Sequence, residues 1–181
     1  MKKLSQLTLL VACGLFAYTV QAQTSEAPKL TDPEIASVAV TANQVDINYA
    51  TLAKQKSKNK DILNFAATMA ADHKSVIDQA VALVTKLGVT PKDNAVSQKL
   101  NADAEKTKKS LGEKSVAAFD KAYIDNEVAY HKAVISVVET VLIPQAQNAE
   151  LKALLQKVLP TLRTHLEHAE MVQKIFKGSG K

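Results

Sequence analysis

Val158-Leu-Pro-Thr-Leu-Arg-Thr-His165-Leu-Glu-His-Ala169 lies in a segment whose apolar residues recur at helical spacing: Leu151, Leu155, Val158, Leu162, Ala169, Val172 and Phe176. A 3.6-residue period gathers these positions onto one face. His165 falls inside that row, where a Leu would be expected. One polar residue in a core-facing row is ordinary. Working outward from it, each of the other long segments carries one as well.

Residues 115–142 place Ile124, Val128, Ile135, Val138 and Leu142 in a row that contains His131, with Asp120 a turn earlier. Ser115 is placed to cap this helix and Pro144 to end it, leaving 145–149 as a turn. Residues 60–87 place Ile62, Phe65, Met69, Val76, Ala80, Leu83 and Leu87 on one face, with His73 in the step between Met69 and Val76 and Gly88 as C-terminal cap. The first helix runs from Pro33, behind a Thr31 or Asp32 cap, to about Gln55. Its row is Ile35, Ala39, Ala42, Asp46, Tyr49 and Ala53. The last helix covers about 150–176, with Pro160 in its interior predicting a kink.

Between the second and third of these long helices, 93–111 is rich in Lys, Asp, Glu, Asn and Gln, with apolar residues only at sparse positions such as Val96, Leu100 and Leu111. This predicts a more solvated helix of about 28 Å, long enough to run back along the second. A crossover of that length makes the next helix parallel to the second. The expected fold is therefore all-α: a ferritin-like bundle of four long helices with an additional polar crossover helix between the second and third.

Composition agrees. The chain has 181 residues, 46% apolar, no Trp, and five each of Gly and Pro, which suits one helical domain with a real core. The expected division is a signal peptide at 1–22, a flexible lead-in at 23–31, the bundle at 32–176 and a disordered tail at 177–181. The first stretch has a basic start (Lys2, Lys3), an apolar run from Leu7 to Val20, and small residues around Val20-Gln-Ala22. The alternative is a lipoprotein signal ending at Cys13; the hydrophobic Gly14-Leu-Phe-Ala17 after the cysteine argues against it. Cleavage after Ala22 leaves 159 residues with 21 Lys+Arg against 18 Asp+Glu, a net charge of about +3, and no cysteine. The expected location is the periplasm or otherwise exported, with an outer-membrane lipoprotein through Cys13 as the minority reading, and with neither disulfides nor a membrane span after cleavage. Basic residues spread along helix faces do not describe a nucleic-acid surface.

Asp46, His73, His131 and His165 are thus one per long helix, each in a row facing the bundle axis. Three imidazoles and a carboxylate form a plausible ligand set for Zn, Cu, Fe or Mn, and the donor types alone do not choose among them. Counted from the turns near Ser57 and Gln145, the depths mismatch by about 7 Å for Asp46 against His73 and about 9 Å for His131 against His165. Glu127, four residues before His131, and His168, three after His165, are additional candidates. Glu127 reads equally as an acceptor orienting His131 or as a surface acid; His168 reads as solvent-facing, and Asp72 as a surface or helix–helix residue. The competing account is a hydrogen-bonded core cluster with Tyr49, Tyr123 and Tyr130 as partners. No Glu-x-x-His occurs in the chain, which argues against a carboxylate-bridged di-iron centre.

Three stretches resemble an exported bacterial family of unknown function, numbered 4142 and described as ferritin-like. They are Phe65-Ala-Ala-Thr-Met-Ala-Ala-Asp72-His73, then Phe119-Asp120-Lys-Ala-Tyr123 running on to His131, and Leu159-Pro160-Thr-Leu162-Arg163-Thr-His165-Leu166. The resemblance spans about 32–176. It implies a helical bundle in the cell envelope and aligns Asp46 with an acid that is usually Glu in the family. An acid often precedes the position of His131, where this chain has Tyr130. The resemblance brings no established activity. Two functions stand as expectations: a metal-binding bundle, and a non-catalytic envelope or stress-related interaction protein whose polar cluster is structural. A redox enzyme built on the same site would further need an open coordination position and a route for substrate.

Overall fold

The computed structural model describes residues 28–178, and every regular element among them is helical. α1 spans Asp32–Lys56, α2 Lys60–Lys86, α3 Ala95–Gly112 and α4 Val116–Val137. α4 continues through a π-helical turn, Val138–Leu142, and one further turn, Ile143–Gln145. α5 spans Ala149–Gly178. The four long helices and the polar crossover helix are all present. The expected signal peptide, and the lead-in up to residue 27, lie outside the described residues, as do 179–181.

Two boundaries differ from expectation. Pro144 does not stop the fourth helix at Leu142; it sits in the first turn of Ile143–Gln145, where a missing N–H matters least. α5 runs two residues past Phe176 and continues across Pro160, whose ring lies on the exposed side.

The ends are fixed by side chains that the sequence supplies locally. Asn59 Oδ1 accepts the backbone N–H of Asp61 (2.8 Å) and Ile62 (3.3 Å). Asn94 does the same for Val96 and Ser97, and Asn148 for Glu150 and Leu151. Each satisfies donors that a helix start leaves free. α2 ends at Gly88, with φ of +63°. There Gly88 N–H donates to Thr85 O (3.1 Å) and Val89 N–H to Val84 O (2.9 Å), the paired bonds of a Schellman cap.

Contacts between helix ends give the chain directions. Lys56, at the end of α1, donates from Nζ to Gly112 O and to Lys114 O, at the entrance to α4. At the opposite end Lys92 N–H donates to Pro33 O (2.9 Å), and Asn94 Nδ2 to Glu34 O (3.1 Å). The Asp32 carboxylate accepts the N–H groups of Gln147 and Asn148, both at 2.8 Å. So α1, α3 and α5 run one way and α2 and α4 the other, the ferritin-like connection expected of a helical crossover.

The core falls into two halves. One is built around Tyr49, Phe65, Phe119 and Tyr123 with Ile62, Met69 and Val172. The other is aliphatic, built from Ile35, Val38, Val138, Leu142, Leu151, Leu155 and Leu162. Among the described residues no helix is long and apolar enough to cross a membrane.

Candidate metal centre

Asp46, His73, His131 and His165 come from α1, α2, α4 and α5, and all four are buried, with at most 4% of any one exposed. The expected depth mismatch shrinks once helix ends replace loop residues as the reference. Asp46 lies ten residues before the end of α1 and His73 thirteen after the start of α2, a difference of about 4.5 Å. His131 lies fourteen before Gln145 and His165 sixteen after Ala149, a difference of about 3 Å. The rows therefore meet. Ring centroids are 5.6 Å apart for His73 and His131, 5.1 Å for His73 and His165, and 5.6 Å for His131 and His165.

Each ring has one nitrogen engaged and one free. His73 Nδ1 lies 2.7 Å from Asn43 Oδ1. The amide of Asn43 is itself oriented by donation from Nδ2 to Ala39 O (2.8 Å), so its oxygen faces the ring and Nδ1 carries the proton. His131 Nδ1 donates to the backbone carbonyl of Glu127, one turn back, at 3.0 Å. His165 Nε2 donates to the Asp72 carboxylate at 2.9 Å. What remains is His73 Nε2, His131 Nε2 and His165 Nδ1: three buried lone pairs with no hydrogen-bond partner. One nitrogen from each ring lies within 4.8 Å of the other two. Asp46 Oδ2 stands 3.5 Å from His73 Nε2 and 3.6 Å from His131 Nε2, and neither of its oxygens is hydrogen-bonded by a fixed donor. A tetrahedral ion held at 2.0–2.1 Å sets its ligand atoms roughly 3.3 Å apart, close to those two separations, although Asp46 falls within 4.8 Å of a common set only with His131 and Glu127 and not with all three histidines.

The charges suit ligation. Burial, reinforced by the neighbouring rings, lowers His73 to about 3. Burial also lowers His131 to about 4, against the opposing pull of the Glu127 carbonyl, and depresses His165 despite Asp72. All three are neutral at pH 7, the form in which imidazole binds metal. Burial raises Asp46 to about 7 and Glu127 well above the carboxylate range, with the Asp46 charge adding to the latter. Burial thus favours the protonated form of both carboxyls, Glu127 the more strongly.

The remaining candidates resolve individually. Glu127 is fully buried and not a surface acid. Its carbonyl, rather than its carboxylate, holds His131 Nδ1; the carboxylate oxygen is 3.7 Å from that nitrogen and forms a second group with Asp46 and His131. His168 is half-buried, with its ring edge-to-face on Phe65 at 5.1 Å, away from the cluster. Asp72 is a helix–helix residue as expected, and its contact is the one that orients His165. Asn43 went unnoticed in the sequence, although it lies three residues before Asp46 and hence on the same face. The tyrosines do not complete a hydrogen-bonded cluster: Tyr130 donates its hydroxyl to Ala42 O (2.8 Å), and the Tyr123 hydroxyl has no partner.

Fold and site together define a helical bundle with a buried histidine–carboxylate cluster at its waist. The family model described as a domain of unknown function (DUF4142) matches residues 18–172, and the chain belongs to that family. No match was found among curated proteins or among solved structures.

Proposed function

We propose that this protein binds a single divalent transition-metal ion at His73, His131 and His165, with Asp46 as the oxygen ligand and Glu127 behind it. The observation that carries the reading is the orientation of the three rings: each has its outer nitrogen tied and its remaining lone pair buried without a partner. Buried polar atoms are normally hydrogen-bonded, and several orphaned acceptors gathered in one place are what an ion would satisfy. An imidazole-rich set ranks Zn, Cu and Fe above Mn, which favours carboxylate and water oxygens. A bound ion would supply Lewis acidity there and favour the ionised form of Asp46. The proposed setting is the periplasm, resting on the signal-like 1–22; the mature protein recovered from cells should begin at Gln23, and a start at Cys13 would contradict this.

Elemental analysis of untagged protein tests the binding. About one ion per chain is expected in the native protein and a large loss in His131→Ala. Equal, substoichiometric metal in both would favour the competing reading, in which the cluster only sets helix register.

A further inference from the structure

The aliphatic half of the core borders a partly open cavity of about 230 Å³ between the helices, with His73, His131 and His165 on its wall and the exposed Ala133, Val137 and Thr161 at its mouth. From the histidines the lining reaches Val84 on α2 and Leu142 beyond α4, eleven residues along each, or about 16 Å of helix. Apart from the histidines, Asn43, Tyr130 and Thr161, the wall is Ala, Val and Leu, so it is aliphatic, with a lining that extends along the bundle axis. Asn43 Nδ2 and the Tyr130 hydroxyl already donate to backbone carbonyls. What the histidine end offers a ligand is therefore a set of unused ring acceptors.

We propose that this cavity is a binding chamber for a linear aliphatic molecule whose polar end is a hydrogen-bond donor, a hydroxyl or amine, seated against the histidine cluster. An apolar cavity of about 150 Å³ takes up benzene, so 230 Å³ suits a chain of roughly eight or nine carbons. A carboxylate end meets mainly acceptors there, the Thr161 hydroxyl apart, and is disfavoured by the unpaired polar atoms it would create. The inference concerns the metal-free chain: an ion on the same three nitrogens would compete with the ligand's polar end for them.

The test uses the full mature protein treated with chelator, with 1-octanol, octylamine, octanoate and octane as probes in calorimetric titration and thermal unfolding. Octanol or octylamine should bind at least tenfold more tightly than octanoate, and raise the melting temperature by roughly 5–10 °C at a hundred times Kd. Ala36→Leu and Ala80→Leu, whose added atoms project into the chamber away from the rings, should abolish that shift while leaving metal uptake intact. Loss of metal uptake in chamber-competent protein would count against the metal reading alone. Octanoate binding as well as octanol and octylamine, an unchanged shift in both leucine variants, or no shift with octanol or octylamine in the native protein would overturn the proposal.

Discussion

At the scale of single residues, the cluster depends on side chains that touch the proposed ligands from behind. Asp72 holds His165 by Nε2, and Asn43 holds His73 by Nδ1. Partners of this kind fix ring orientation and typically matter 10–100-fold in metal affinity. Asp72→Ala should therefore weaken metal binding about that much in competition titration, whereas Asp78→Ala, exposed and paired only with Lys74, should leave it unchanged. The metal-free protein should also show two opposed pH limbs. His73 and His131 lie below their usual 6.5, so the unfolded chain takes up protons first; stability is fully present above pH 6.5 and declines as pH falls towards about 3. Asp46 lies above its usual 3.8, so the folded state holds the extra proton, and stability declines as pH rises from 3.8 to about 7. Glu127, raised by the same burial, contributes to this limb as well, so Asp46→Asn removes only the Asp46 part of it. Urea unfolding in chelator should show this variant gaining on the native protein between pH 5 and pH 8; a constant difference would refute the assignment.

At the scale of elements, the caps and rows were readable because their causes are local. Gly88 after a periodic run signalled the left-handed cap that φ of +63° confirms. A Cβ added there meets nothing within 4 Å, so the cost of Gly88→Ala is the backbone alone, about 1–2 kcal/mol. Asn59→Ala should cost about 1 kcal/mol through the lost cap at α2, and both are checked by urea denaturation. The end of α4 was misread for an equally physical reason. A proline marks a stop only if the helix before it keeps its ordinary hydrogen bonding, and the π-helical turn at Val138–Leu142 re-phases the chain into a fresh first turn that accepts Pro144.

At the scale of the molecule, the crossover length of α3 foretold which helices run parallel, and periodicity foretold that four rows share an axis. Asp46, His73, His131 and His165 were legible because each interrupts an apolar row. Asn43 and Asp72 were not recognised as orienting partners, because their role depends on which helix lies opposite, and that depends on packing between distant segments. The chamber was also hidden: Ala36, Ala39 and Ala80 look the same in sequence whether neighbours close over them or leave space. The most direct test of the central claim is thermal unfolding of the chelator-treated mature protein titrated with Zn, Cu, Fe and Mn ions, beside a triple His73, His131 and His165 to Ala variant. At least one ion should raise the native melting temperature, saturating at one per chain, and leave the variant unmoved. The same response in both proteins, or none from any ion in the native chain, would contradict it.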